Sequence, residues 1–107
     1  MSDPVDPHVR TRAAMEDSSR DLSYPPSPEA LVVPVYDNHT HLEIADGENP
    51  LHYREHLDRA SAVGVRGVVQ VGPDVITSRW SAAVAAREPR VLAAVALHPN
   101  EAPALVE

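Results

Sequence analysis

Residues 35–42 read Val-Tyr-Asp-Asn-His-Thr-His-Leu, a short apolar run that leads into the pattern Asp-x-His-x-His. Side chains alternate between the two faces of a β-strand, so Asp37, His39 and His41 are predicted to point the same way. Same-face Cα atoms lie about 6.6–6.8 Å apart on a strand, so the two imidazoles could converge on one metal ion. The alternative is that both histidines simply face solvent on an edge strand.

The type of metal site follows from the residues that the chain has. There is no cysteine, so a metal has to be held by histidines and carboxylates. Neutral imidazole suits Zn, Fe, Ni or Cu, and also Mn when oxygen ligands lie beside it. Asp37 could accept a ring N–H from a ligating histidine, or bind the metal weakly itself.

Composition excludes several classes of protein. The 107 residues are 43% apolar, which is enough for one small domain, and the formal net charge is −7 with a pI near 5.2. That acidity argues against a broad basic surface for nucleic acid, but not against an enzyme that meets phosphates through a metal ion. No apolar run approaches the roughly 20 residues of a membrane span, and the N-terminus lacks the apolar core of a secretory signal. We therefore expect a cytoplasmic protein without a membrane partner.

The N-terminal third is predicted to be a tail. Residues 1–34 mix acidic residues with arginines and end in a proline-rich stretch at Pro25, Pro26 and Pro28. Their apolar content is too low and too scattered to offset the entropy of ordering. We predict a disordered acidic tail over residues 1–34, followed by one domain over residues 35–107.

Five elements follow the tail. The patterns predict strands over residues 32–37, 67–72 and 91–97, and helices over 51–63 and 77–87. Asn49 and Pro50 fit the start of the first helix, Gly64 fits its end, and Thr77 or Ser78 fits the start of the second. The order strand, helix, strand, helix, strand is typical of a parallel α/β protein.

Two further polar residues lie in or after the predicted strands. His98 follows the third strand, and Pro99 holds it in an extended conformation. It lies at the same end of its strand as His39 and His41, where α/β folds place their sites, although it could be a structural residue. Gln70 interrupts an apolar strand, and it either satisfies a buried neighbour or reaches toward the site.

Four landmarks in order resemble the TatD family of metal-dependent hydrolases, within the amidohydrolase superfamily. Residues 37–42 look like the family's Asp-x-His-x-His-Leu, and residues 62–72 resemble its second strand with the preceding helix end. Asp74 with Ser78-Arg79 resembles the polar loop that follows. Residues 94–99, Ala-Val-Ala-Leu-His-Pro, resemble the family's Gly-x-His-Pro strand end.

The resemblance implies the first three βα units of a TIM (β/α)₈ barrel, one or two divalent metal ions (Zn, Mg or Mn), and hydrolysis of phosphodiester bonds in DNA by metal-activated water. Carried over by position, His39 and His41 are metal ligands and His98 lies near the substrate phosphate. Asp37 keeps the role expected from its spacing, as a support for a ligand. No catalytic residue is assigned in this chain.

Two departures from the family leave alternatives open. Asn100 stands where many members have a second histidine, and the family's later ligands come from strands that have no counterpart here. The chain alone is therefore expected to be inactive, and one alternative is a non-catalytic truncated fragment. A second alternative is another amidohydrolase or a phosphoesterase of the PHP type. The sequence does not decide the metal, the natural substrate, exonuclease or endonuclease action, or the oligomeric state.

Overall fold

The computed structural model describes residues 5–11, 23–45, 47 and 49–105. Its strands and helices, in chain order, are β1 (Arg10–Thr11), β2 (Val35–Thr40), β3 (Ile44–Ala45), α1 (Tyr53–Ala62), β4 (Val65–Gly72), α2 (Val75–Arg87) and β5 (Val91–Val95), followed by a 3₁₀ turn at Ala102–Leu105. The main sheet has the order β2-β4-β5 with all three strands parallel, and β1 pairs with β3 in a second parallel sheet. The predicted α/β class with parallel strands is confirmed.

Strand β2, the first strand that the sequence predicted, begins later than expected. The expected strand over residues 32–37 is found, but it is shifted toward the C-terminus: Pro34 has no N–H to donate, and the first link of β2 runs from the Val35 amide to the carbonyl of Gly64 at 2.9 Å. The strand then runs on through His39 and Thr40, which brings the histidine pattern into the sheet. Its register against β4 is irregular between Asp37 and Thr40, so strict alternation of side chains does not hold there.

Both helices begin at residues other than those predicted. The N-cap of α1 is His52, whose Nδ1 accepts from the Arg54 amide at 3.1 Å, so the assignment of Asn49 and Pro50 is wrong. The N-cap of α2 is Asp74, which accepts from the Thr77 amide in a capping box, so the prediction of Thr77 or Ser78 is wrong.

The ends of the elements are closer to the predictions. Gly64 follows α1 with a φ of +102°, a conformation that favours glycine, so its predicted role at the end of this helix is confirmed. The other differences are small: β4 begins at Val65, two residues early, and β5 ends at Val95, two residues early.

The hydrophobic core lies between the helices and one face of the sheet. It consists of the buried side chains Tyr53, Leu57, Val68, Trp80, Val84 and Val91. The rings of Tyr53 on α1 and Trp80 on α2 meet edge to face, with centroids 5.6 Å apart. Val91 is buried while its neighbour Leu92 is 61% exposed, so the helices cover one face of the sheet.

An N-terminal segment, residues 5–11, lies against this domain. The Trp80 indole N–H donates to the Asp6 carbonyl at 2.7 Å, and the amides of Val9 and Arg10 donate to the Glu43 carbonyl at 3.0 and 3.2 Å. Residues 23–34 are exposed and form neither helix nor strand. Residues 1–4 and 12–22 lie outside the described residues, so the single disordered tail over 1–34 stays a prediction. Within the described ranges, no helix combines the length and the apolar character that spanning a membrane requires.

Candidate metal centre

A cleft opens at the carboxyl ends of the three strands in the main sheet. Its volume is about 680 Å³, and its walls include His39 and His41 from β2 and the turn after it, Val71 from β4, and His98 beyond β5. We call it the histidine cleft. The three histidines named from the sequence are therefore brought together, as expected where parallel strands end at one edge of a sheet. Their roles stay predictions.

His41 is oriented by the central strand. Its Nδ1 lies 3.1 Å from the Val71 carbonyl oxygen, and because a carbonyl only accepts, Nδ1 carries the proton. The lone pair of a neutral ring is then on Nε2, the arrangement found in histidines that bind a metal through Nε2. The ring of His39 lies beside it, with centroids 5.1 Å apart and planes at 74°. Two imidazoles are thus held side by side at the end of β2.

Asp37 has a different partner from the one expected. Its Oδ1 accepts from the backbone amide of His39 at 3.1 Å, whereas the sequence suggested a ring N–H as donor. This bond joins residues two apart along the strand, where the pairing with β4 is irregular. Asp37 therefore shapes the backbone that carries His39.

His98 is fixed by the turn that contains it. Its amide donates to the Pro73 carbonyl at 2.7 Å, and its Nδ1 accepts from the Asn100 amide at 3.0 Å. Because Nδ1 accepts, the proton of the neutral ring is on Nε2, which is left as a donor. A ring that donates from this cleft can bind an anionic oxygen.

A buried polar network lies beneath the histidines, and the sequence reasoning missed most of it. Glu43 and Gln70 are both 0% exposed. Glu43 Oε2 accepts from Gln70 Nε2 at 2.6 Å, and Glu43 Oε1 accepts from Arg10 Nη2 at 2.6 Å. Gln70 Oε1 also accepts from the Leu42 amide at 2.7 Å, so Gln70 satisfies buried neighbours. Its place in an apolar strand was the signal, but its partner could not be read from the sequence.

Glu43 also lies close to the candidate ligands. Its Oε1 is 3.5 Å from His41 Nδ1, the ring nitrogen that faces the Val71 carbonyl. The carboxylate therefore sits on the protonated side of the ring, where it favours the Nδ1–H form. The network joins β4, the turn after His41 and the N-terminal segment at one buried point.

Asp74 closes the loop between β4 and α2. The hydroxyl of Thr77 and its amide donate to Asp74 Oδ1 at 2.6 and 2.8 Å. These bonds favour the ionised carboxyl and hold the pKa of Asp74 below its ordinary value. The loop that the sequence singled out thus acts here as a helix cap beside the cleft.

The donors present fit two positions of a metal site. His41 offers Nε2, and the ring centroid of His39 lies 5.1 Å from that of His41. Among the residues that the structure describes, there is no group of three or more His, Cys, Asp or Glu side chains placed to hold a metal. Catalytic zinc sites use three protein ligands, one more than this histidine pair supplies.

A comparison with known proteins finds a similar one in Mycobacterium tuberculosis (strain H37Rv), described as an uncharacterized metal-dependent hydrolase TatD. The two are 42% identical over 73 residues, which cover 68% of this chain and 28% of the relative. This likeness supports the resemblance to the TatD family. No family model matches the chain, and no solved structure matches it.

Proposed function

We propose that this chain carries the first metal-binding strand of a metal-dependent hydrolase of the TatD type. The observation that supports this best is the pair His39 and His41, side by side at the carboxyl end of β2 with the His41 proton on Nδ1. The 42% identity to a protein described as a metal-dependent hydrolase supports the same class. Membership of the amidohydrolase superfamily and a partial (β/α)₈ barrel are parts of this proposal, and the parallel order β2-β4-β5 is compatible with them.

The proposed reaction is the hydrolysis of a phosphodiester bond, with DNA as the substrate class. A bound divalent ion would lower the pKa of a water molecule and neutralise charge on the phosphate oxygens. His39 and His41 would hold that ion, and Glu43 and the Val71 carbonyl keep the His41 ring in place. His98 donates from Nε2 to a phosphate oxygen and so orients the substrate.

Zinc binding to the chain tests the ligand assignment. We expect His39→Ala and His41→Ala each to weaken binding at least tenfold in a calorimetric titration, since each removes one of two imidazoles. His52→Asn is the matched control, because it removes a histidine outside the cleft and keeps a side chain that can cap α1. Equal zinc affinity in all three variants would refute the assignment.

Hydrolysis is tested separately with bis(p-nitrophenyl) phosphate and with an anilide substrate. We expect the phosphodiester to be hydrolysed only by a protein that supplies further metal ligands besides His39 and His41, because two protein ligands are fewer than catalytic sites use. Cleavage of the anilide instead would favour another amidohydrolase.

A non-catalytic module is the second candidate function. It is favoured by the finding that the described residues contain no group of three or more potential ligands. The zinc titration separates the two, because a non-catalytic chain without a metal site would bind no zinc even with His39 and His41 intact.

A further inference from the structure

Arg10 reaches the histidine cleft from the N-terminal segment. It forms part of the cleft wall together with Thr11, and its guanidinium donates to Glu43, whose Oε1 is 3.5 Å from His41 Nδ1. We propose that Arg10 contacts the phosphate group of the substrate and selects for anionic substrates. This inference rests on the proposed function, since it assigns one contact within the same site.

The N-terminal segment is held firmly enough to present this side chain. β1 pairs with β3 in parallel register, Arg10 opposite Ile44 and Thr11 opposite Ala45. The Trp80 indole N–H reaches back to the Asp6 carbonyl, and His8 Nε2 lies 2.8 Å from the Leu51 carbonyl. Anchors on both sides of Arg10 and on three different parts of the domain fix where its backbone lies.

The Arg10 guanidinium has donor capacity that the described part of the chain does not use. Nη2 donates to Glu43 Oε1 at 2.6 Å, but Nε is buried and finds no acceptor among the described residues. Glu43 is shared, because its other oxygen accepts from Gln70 at 2.6 Å. The buried Nε is out of reach of a ligand in the cleft, but the Arg10 side chain as a whole is 39% exposed, so its outer N–H groups are available to a phosphate oxygen.

Arg10 is the charged donor that the cleft offers to a phosphate, and the buried Glu43 carboxylate competes for it at 2.6 Å. The whole chain has a formal charge of −7, so its general field repels a phosphodiester. Among the described residues that form the cleft wall, Arg10 is the permanent cation and the exposed Glu101 is the carboxylate. Guanidinium binds phosphate through paired N–H groups, which a neutral imidazole cannot do.

The experiment titrates the protein with inorganic phosphate without added metal and follows arginine Nε–H signals in ¹H–¹⁵N spectra. We expect the Arg10 signal to move, and Arg10→Gln to weaken phosphate binding about tenfold. Arg10→Lys keeps the positive charge but lacks the paired N–H groups of the guanidinium, and we expect intermediate phosphate binding. Arg66→Gln is the matched control, because it removes the same charge from an exposed residue near the amino end of β4 and should leave binding unchanged.

A Glu43→Gln variant separates contact with phosphate from a purely structural role of Arg10. If Arg10 binds phosphate, removing the competing carboxylate should strengthen binding two- to threefold. If Arg10 only tethers the N-terminal segment, Glu43→Gln and Arg10→Gln should weaken binding alike, which would overturn the proposal. The Trp80 indole N–H signal reports whether the segment is still docked in each variant.

Failure of this inference is distinguishable from failure of the proposed function. Phosphate binding by Arg10→Gln that equals the parent overturns the role of Arg10, whatever the zinc titration shows. Absence of zinc binding in the parent chain counts against the metal site, and it leaves the metal-free phosphate titration readable.

Discussion

Replacing Gln70 with methionine tests whether the buried network beneath the histidines supports the fold. Methionine has nearly the same length and shape, so packing changes little while both polar atoms disappear. Two strong hydrogen bonds are lost, one to Glu43 Oε2 at 2.6 Å and one from the Leu42 amide at 2.7 Å. Water has no access to this part of the network, since Glu43 and Gln70 are 0% exposed.

The expected cost follows from these two bonds. A hydrogen bond to a charged group contributes about 1.5–3 kcal/mol, and a stranded buried amide costs about 1–3 kcal/mol. Burying the thioether in place of the amide returns about 1 kcal/mol. The free energy of unfolding should therefore fall by about 1.5–5 kcal/mol, a large share of the 5–15 kcal/mol of stability that is roughly typical of a small domain.

Urea unfolding followed by Trp80 fluorescence measures this change. Trp80 is the single tryptophan and is 5% exposed, so its emission reports the core. At a slope of about 1–3 kcal/mol per molar urea, the midpoint should fall by roughly 0.5–5 M. In a Glu43→Gln background, Gln70→Met should cost about 1–2 kcal/mol less, because no charge is then stranded. A midpoint shift for Gln70→Met below about 0.3 M would refute the reasoning.

Three further predictions concern stability. Asp74→Asn should destabilise the fold most at neutral pH and progressively less as pH falls toward the lowered pKa of Asp74. The reason is that protonation of Asp74 also weakens the bonds from Thr77 in the parent protein. Urea midpoints measured at several pH values check this. Gly72→Ala would place a Cβ 2.5 Å from backbone atoms of Ser78, so α2 has to shift, and we expect thermal unfolding to show a loss of about 1–3 kcal/mol or more. Burial is the main cause that lowers the pKa of His56. As pH falls from about 8 to about 5, the unfolded chain takes up a proton on this residue before the folded chain does, so the free energy of unfolding should decrease. His56→Gln should reduce this dependence on pH in unfolding measurements.

Local patterns were sufficient to locate most elements. The β-branched run around Val68 predicted a strand, and the glycine after α1 predicted where that helix ends, because these signals act within a few residues. Helix starts were predicted less well. Several residues near each start can accept from a free amide, and only the path of the chain decides between Asp74 and Thr77, or between Asn49 and His52.

Local patterns were enough to predict that His39, His41 and His98 would lie at one end of the sheet. That follows from strand order and direction, because parallel strands end at the same edge. The surroundings of these histidines come from the packing of segments that are distant in the sequence. Arg10 and Glu43 are 33 residues apart and Glu43 and Gln70 are 27 apart, yet they meet in one buried network. Such pairing depends on how separate segments pack, and a local pattern carries no record of a partner so far along the chain.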